Sequence, residues 1–439
     1  MKNATGIRDP AFSDNKDQPI HRWVPWIAGF SSRFVDKVID AFGSSASCNR
    51  HPPCLLDPFC GVGTTLVQGM LRGWSTIGFE INPYAALASR IKVESSHINL
   101  DRLEDTIQAL RTESREWGSS SFQPHSQPPE AFKSRIPFFS PQVEKQVLCL
   151  LDFIDRINDN HVRDIVRLAF GAVMVSFSNY SYEPSLGTRP AAGKPLVKNA
   201  DVAAVVSSKI RQVVSDIKRL YDRLGDSGDN ASHEIYTENF LSEAKNHLAT
   251  RSVDLMITSP PYMNNYHYVR NTRPQLYWLS LIADGLATKD LEVNNFGKFW
   301  QTVRAGPPVE PTFVHKELFS LVQKLRTIRV HRGPYGGPGW ANYVISYFND
   351  CHAFLKVLHR LLKRGGVGVI VIGNSIIQGI EFKVDRLLAD LGEQQGFFVV
   401  AANQIREKRV GASITRSSVR RGASNRAALY ESAVVLKKK

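Results

Sequence analysis

The chain has 439 residues, 43% hydrophobic and 10% aromatic, which excludes a disordered chain and sets an expectation of two or three domains, or one large α/β domain with insertions. Lys and Arg number 55 against 41 Asp and Glu, a formal net charge of +14 that suits a polyanionic partner such as nucleic acid without saying what sequence is read. No stretch approaches the roughly 20 apolar residues of a membrane span, and residues 1–18 lack a secretory apolar run. The odd count of five cysteines points to reduced thiols in an intracellular protein, cytoplasmic or nucleoid-associated. Cys48, Cys54 and Cys60 are evenly spaced, but zinc sites want close Cys pairs, so no metal is expected.

In chain order, residues 51–94 read as a βαβ unit. HPPCLLDPF is an apolar strand ending in an acid, CGVGTTLVQGMLRG a glycine turn running into a helix that Gly73 stops, and WSTIGFE a second strand. Asn82 and Pro83 open the next helix as cap and first-turn residue. Such a unit implies a parallel sheet with a right-handed crossover. Over 101–230 the rhythm breaks: a polar stretch at 111–130, helical patterns at 141–157 and 161–175, a basic connection through Arg189 and Lys198, and an amphipathic helix at 205–224. This segment reads as a helical insertion, or as a subdomain packed beside the sheet. Alternation resumes with a strand at 253–257 that runs into SPPY. Helices follow at 275–287 and 313–329, a glycine-rich loop at 331–340, and a helix at 347–362. A strand at 366–372, a helix at 382–391 and strands at 397–402 and 429–436 complete the pattern. The expected organisation is 1–100 as a covering segment plus the first half of an α/β domain, 101–230 as the insertion, and 231–439 as the second half.

Two constellations carry chemistry. In DPFCGVGTT (57–65), Gly61 and Gly63 let the backbone turn sharply between strand and helix and approach a ligand closely. Glu80 ends the next strand, where a carboxylate accepts hydrogen bonds from ribose hydroxyls. The loop is not G-x-G-x-x-G, and no Lys-Ser/Thr pair follows it, which argues against NAD and ATP. Asp57 before the turn would repel a pyrophosphate and suits the cationic methionine end of S-adenosylmethionine. In DLMITSPPY (254–262), two prolines remove backbone donors after a strand, leaving Ser259 and the Pro260 carbonyl as fixed acceptors beside Tyr262. Two acceptors hold the hydrogens of an exocyclic amino group and the ring stacks on the base. Neither a general base nor a metal is demanded, because the amino proton becomes acidic once the methyl arrives.

DPFCGVGTT, GFEINP and TSPPY together resemble the amino-directed DNA methyltransferases, with Ser first in the tetrapeptide as in the N4-cytosine branch. The resemblance spans roughly 21–94 and 235–439. It implies a Rossmann-like α/β fold with a largely parallel sheet, the helical insertion and a basic loop at 406–426. By it, Asp57, Phe59, Gly61, Gly63, Thr64, Thr65, Glu80 and Asn82 match the cofactor motifs for S-adenosyl-L-methionine, and Ser259, Pro260, Pro261 and Tyr262 the catalytic one. HRWVPWIAGFS (21–31) resembles the segment covering the methionine end of the cofactor, with Trp23 and Phe30 as candidates. Glu238-Asn239 is the nearest match to the segment that meets the adenine ring, with Asn239 as the contact. The implied activity is site-specific methylation of cytosine N4 in double-stranded DNA after base flipping, in a restriction–modification system with a cognate endonuclease, as monomer or dimer. Adenine N6 in DNA and a base amino group in RNA stay open as alternatives. Here the glycine motif precedes the catalytic motif, the reverse of many N4-cytosine enzymes.

Other candidates sit near the substrate side. Arg406, Lys408, Arg409, Arg416, Arg420, Arg421 and Arg426 oppose one acid, Glu407, in a stretch suited to phosphates and guanine edges. Asn264, Asn265, Tyr266, His267, Tyr268 and Arg270 follow the catalytic motif and are placed to line a pocket or fill the gap left by a flipped base. Residues 335–340 read as a lid, and Asn374 and Ser375 stand at a strand's carboxyl end, where open sheets bind ligands.

Overall fold

The computed structural model describes residues 12–26, 29–43, 51–119, 121–182, 185–224, 230–264, 266–408 and 428–439. Helix Ser32–Phe42 (α1) begins where Ser31 Oγ accepts from Phe34 N, and the βαβ unit follows as Cys54–Asp57 (β1), Thr64–Leu71 (α2), Ser75–Phe79 (β2) and Pro83–Val93 (α3). The insertion comprises Leu100–Glu113 (α4), Pro141–Asp155 (α5), Asn160–Val173 (α6), a hairpin of Tyr180–Tyr182 (β3) and Leu186–Thr188 (β4), and Val202–Leu224 (α7). His233–Tyr236 (β5), Phe240–His247 (α8) and Val253–Thr258 (β6) return the chain to the sheet. Tyr268–Trp278 (α9), Gly285–Asn294 (α10), Trp300–Val303 (α11), Lys316–Arg326 (α12) and Gly337–Leu361 (α13) precede Leu362–Gly373 (β7). A small hairpin, Ser375–Ile377 (β8) with Ile380–Phe382 (β9), leads to Val384–Gln394 (α14), Phe397–Lys408 (β10) and Leu429–Lys438 (β11).

Seven strands form one sheet in the order β10-β11-β7-β6-β1-β2-β5. Pairs β1–β2, β1–β6, β2–β5 and β6–β7 are parallel, and β11 runs antiparallel to both β7 and β10. This is the Rossmann-like α/β arrangement of S-adenosylmethionine-dependent methyltransferases. From β1 the chain steps outward through β2 to β5, then returns to β6 on the other side of β1. The crevice between the carboxyl ends of β1 and β6 is therefore the topological switch point, where such sheets bind ligands.

Side-chain alternation sends neighbouring strand residues to opposite faces. Leu55, Leu255 and Ile257 pack with Phe34, Val35 and Val38 of α1. Leu56 and Met256 pack on the other face with Phe354, Leu358 and Leu388 of α13 and α14. Helices α4 to α7 share a third cluster with α2 and α3. A buried carboxylate ties this layer to the N-terminal segment: Asp216 of α7 accepts from Ile20 N and Trp23 Nε1, both at 3.0 Å, and from Arg22 Nη2 at 2.6 Å.

Three local expectations change. The helix read over 275–287 is two helices, α9 and α10, broken where Ser280 takes φ 51° and where Asp284 Oδ1 caps α10 by accepting from Leu286 N and Ala287 N. The lid read at 335–340 is instead the tightly packed start of α13. A Cβ on Gly337 would lie 1.8 Å from the Leu325 carbonyl oxygen, one on Gly339 would lie 2.0 Å from that of Pro334, and Trp340 is buried. Strand β5 has only a partly buried HEIY pattern, too weakly alternating in hydrophobicity to stand out in sequence. Among the described residues no helix is long and apolar enough to cross a membrane.

Candidate active site

The carboxyl ends of β1, β2 and β6 open into one cleft of about 260 Å³. Asp57, 2% exposed, ends β1; its Oδ1 accepts from Thr258 Oγ1 at 2.6 Å and Phe59 N at 3.1 Å. Burial outweighs those bonds and lifts its pKa to about 6. Gly61 (φ 52°) and Gly63 (φ 83°) then turn the chain into α2. A Cβ on Gly61 would come 3.3 Å from the indole Nε1 of Trp26, and one on Gly63 would come 3.0 Å from Ser89 Oγ. Glu80 folds back onto this turn, Oε2 accepting from Gly61 N at 2.9 Å and Oε1 from Asn82 N at 2.8 Å. Each oxygen keeps a lone pair for a ligand, and burial raises the carboxyl pKa to about 7. Helix α3 holds the turn from behind: Ser89 Oγ donates to the Gly61 carbonyl at 2.7 Å and Lys92 Nζ to that of Val62 at 2.8 Å. Further along the cleft, Phe59 meets Phe296 edge-on with ring centroids 4.9 Å apart, and Asn239 caps α8 through Leu241 N while donating to the Asn294 carbonyl at 2.8 Å.

Ser259 to Tyr262 follow β6 directly and line the same cleft. Tyr262 donates its phenolic hydrogen to Glu431 Oε1 at 3.1 Å, and Glu431 Oε2 receives Arg406 Nη2 at 2.9 Å. A phenol has one hydrogen, so the 3.3 Å contact between Ser259 Oγ and Tyr262 Oη has serine as donor. The consequence is directional: with its hydrogen turned toward Tyr262, Ser259 faces the cleft as an acceptor. Tyr347 Oη donates to the Pro261 carbonyl at 3.0 Å, whereas the Pro260 carbonyl takes no hydrogen bond among the described residues. The ring of Tyr262 lies close over Gly373, where a Cβ would approach within 3.2 Å.

No protein-family model matches the chain. Full-length relatives do: the Type II methyltransferase M.BsoBI of Geobacillus stearothermophilus is 23% identical across 98% of this chain and 87% of its own length. M.AvaI of Nostoc sp. is 23% identical over 89% and 81%, and M.MvaI of Kocuria varians 22% over 77% and 73%. The chain is a homologue of the Type II methyltransferases. The resemblance to amino-directed enzymes extends along most of its length, and its cofactor is S-adenosylmethionine. Among solved structures, an rRNA methyltransferase from Streptomyces viridochromogenes aligns with 93% of the chain at 10% identity and a TM-score of 0.26.

The cleft of this methyltransferase gathers Phe30, Asp57, Phe59, Gly61, Thr64, Glu80, Asn82, Asn239, Ser259, Pro260, Pro261, Tyr262, Asn264, Tyr266 and Arg406. Gly63 and Thr65 stand behind it; Thr65 Oγ1 donates to the Ile257 carbonyl at 3.4 Å. The cradle fits the cofactor in its donor set: a glycine turn a Cβ would obstruct, a carboxylate with free lone pairs, and an acid at the floor. Trp23 lies elsewhere, fully buried with its indole on Asp216, and Trp26 is the tryptophan on the cleft wall. His267 packs against Phe299, and burial beside Arg270 lowers its pKa to about 4, so it is neutral and away from Ser259. Asn374 pins β7 to β11, accepting from Tyr430 N at 2.9 Å and donating to Glu381 Oε1 at 3.0 Å. Ser375 donates to the Met263 carbonyl. Asn265, Arg409, Arg416, Arg420, Arg421 and Arg426 lie outside the described residues, as does the side chain of Lys408. Sequence reasoning missed Trp26, Ser89, Lys92 and Glu431. Glu431 alternates with apolar neighbours in ALYESAVVL, a signal for strand but not for a carboxylate at the tetrapeptide. Among the described residues no group of His, Cys, Asp and Glu is placed to hold a metal ion.

Proposed function

We propose that this chain is a site-specific DNA methyltransferase acting at cytosine N4 of a base flipped from double-stranded DNA. The observation that carries the reading is the proton order Ser259→Tyr262→Glu431, which leaves the serine oxygen as an acceptor at the edge of the cofactor cradle. When bound, S-adenosylmethionine supplies an electrophilic methyl group. Ser259 and the Pro260 carbonyl accept the two amino hydrogens, which directs the nitrogen lone pair at the methyl carbon. As the N–C bond forms, the C–S electron pair leaves with sulfur, and one amino hydrogen departs to solvent from the now cationic nitrogen. Tyr262 supplies a flat face for the base. Asp57, Glu80, Asn82 and Asn239 orient the cofactor, with Phe59 and Phe30 closing apolar walls and Gly61, Gly63, Thr64 and Thr65 forming the turn. Asn264 and Tyr266 serve the base side.

Arg406 supports cytosine in particular. Its Nη2 is committed to Glu431, and its Nε–H has no partner among the described residues. Cytosine presents two adjacent acceptors, N3 and O2, to a guanidinium fork, whereas adenine presents N1 alone beside a C–H. The net charge of +14 fits a phosphate-rich partner, residues 101–230 are read as an insertion on the methyltransferase domain, and a cognate endonuclease is the expected companion activity. The test is incubation with unmodified genomic DNA and labelled cofactor, then digestion to nucleosides and mass identification. N4-methylcytosine is expected, and Ser259→Ala should abolish it while leaving cofactor binding intact. N6-methyladenine as the product, or turnover undiminished by Ser259→Ala, would overturn the reading.

A further inference from the structure

A second cavity, about 440 Å³, lies where the insertion, α3, α9 and the N-terminal segment meet. It contains none of Ser259 to Tyr262, and it is divided from the cofactor cleft by Trp26, Tyr266 and Tyr268, which line both. Three of its wall residues carry buried polar atoms without a hydrogen-bond partner among the described residues: His21 Nδ1, Tyr84 Oη and Gln275 Oε1. Each such atom has given up water without replacement and lowers stability, so three around one cavity call for an occupant.

The partners of these groups set what that occupant offers. Gln68 Nε2 donates to Asp36 Oδ2 at 2.7 Å, a group that only accepts. Gln68 Oε1 therefore faces His21 Nε2 at 3.1 Å and takes its hydrogen. The other ring nitrogen, Nδ1, is left as a bare acceptor, and burial keeps the imidazole neutral with a pKa of about 3. Gln275 Nε2 donates to the Gly171 carbonyl at 3.1 Å, so Oε1 is a second acceptor. Gly171 lacks the side chain that would collide with the Tyr84 ring at 2.6 Å. Lys209 Nζ donates to the Arg22 carbonyl at 2.9 Å and Gln212 Oε1 at 2.7 Å, retaining a third hydrogen, and Lys16 stands exposed at the same cavity.

We propose that this cavity is a second nucleotide site, taking a base with an exocyclic amino group between its aromatic walls and the attached phosphate at Lys16 and Lys209. Two fixed acceptors match the two hydrogens of one amino group, and flat tyrosine and tryptophan faces match a heterocycle. The source is either a base of the bound DNA other than the one methylated or a free nucleotide. Only the first source rests on the DNA reading above.

The experiment is calorimetric titration of the full chain, saturated with S-adenosylhomocysteine, with dCMP, dAMP and dTMP. Thymine lacks the amino group, so dCMP and dAMP should bind at least roughly tenfold more tightly than dTMP. Tyr84→Phe should weaken that binding by roughly tenfold or more while leaving Tm equal or higher, because it deletes an unpartnered hydroxyl. Ala172→Trp, which fills the cavity, should abolish it, and Ser259→Ala should leave it unchanged. Competition between dCMP and a mixed-sequence duplex, sensitive to Tyr84→Phe, identifies DNA as the source; absence of competition with dCMP binding retained identifies the free nucleotide. Equal affinity for dTMP, or binding indifferent to both Tyr84→Phe and Ala172→Trp, overturns the proposal. No methyl is transferred in this titration, so its failure leaves the Ser259 reading to the nucleoside assay.

Discussion

Replacing Asp57 by Asn should stabilise the cofactor-free protein at neutral pH and cripple cofactor binding. Burial lifts the Asp57 pKa from 3.8 to about 6. Between those values the folded chain holds a proton that the unfolded chain has released, so stability falls as pH rises through that window and stays low above it. A shift of about two pH units corresponds to ~3 kcal/mol at pH 8. Asn keeps an oxygen to accept from Thr258 Oγ1 and Phe59 N without a charge in the floor of the cleft. Urea denaturation without cofactor, at pH 4 and pH 8, should show Asp57→Asn and the parent nearly equal at pH 4 and the variant more stable at pH 8. Calorimetry should show cofactor affinity lost, since the charge that destabilises the empty cradle is the one that meets the cationic methionine end. A variant less stable than the parent at pH 8 would refute the argument, because the carboxylate would then be a net structural asset.

Cofactor affinity of the parent should fall as pH drops below about 7, where Glu80 takes up a proton and becomes a poorer ribose acceptor; a flat profile between pH 6 and 8 would remove Glu80 from that role. Glu431→Gln should lower kcat by at least about tenfold with cofactor affinity unchanged, because a carboxamide can donate to Tyr262 and reverse the proton order that makes Ser259 an acceptor. Single-turnover kinetics would show it, and an unaltered rate would make the relay irrelevant. Asp216→Ala strands Arg22, the Ile20 N–H and the Trp23 indole at once, and should cost about 3 kcal/mol in equilibrium unfolding. A loss below about 0.5 kcal/mol, the level of ordinary surface changes, would show that the tether does not matter.

Much of the cradle was legible because its chemistry is local. Asp57, Gly61 and Gly63 sit within seven residues, and the turn they make is dictated by backbone conformation rather than distant packing. The SPPY segment was legible for the same reason. What sequence could not supply were partners brought in by topology. Glu431 reaches Tyr262 only because β11 runs antiparallel beside β7, and nothing in a strand's alternation tells which outer residue faces a site. Trp23 and Trp26 are three apart in one short segment, and choosing between them required Asp216, a carboxylate nearly 200 residues away that claims the first indole. The reading of 275–287 as one helix failed because an apolar stripe over QLYWLSLIADGLA outweighed the break at Ser280 and the cap at Asp284.

Strand β11 is wedged between β7 and β10, two strands that precede it in the chain, so β10 has no seat on the sheet until residues 429–438 arrive. The same strand delivers Glu431 to Tyr262. During synthesis, then, the cradle at 57–80 can assemble long before the tetrapeptide acquires its proton order. A polypeptide interrupted ahead of Leu429 is a cofactor binder without a poised acceptor, and competence for transfer arrives in one step with the strand that completes the sheet.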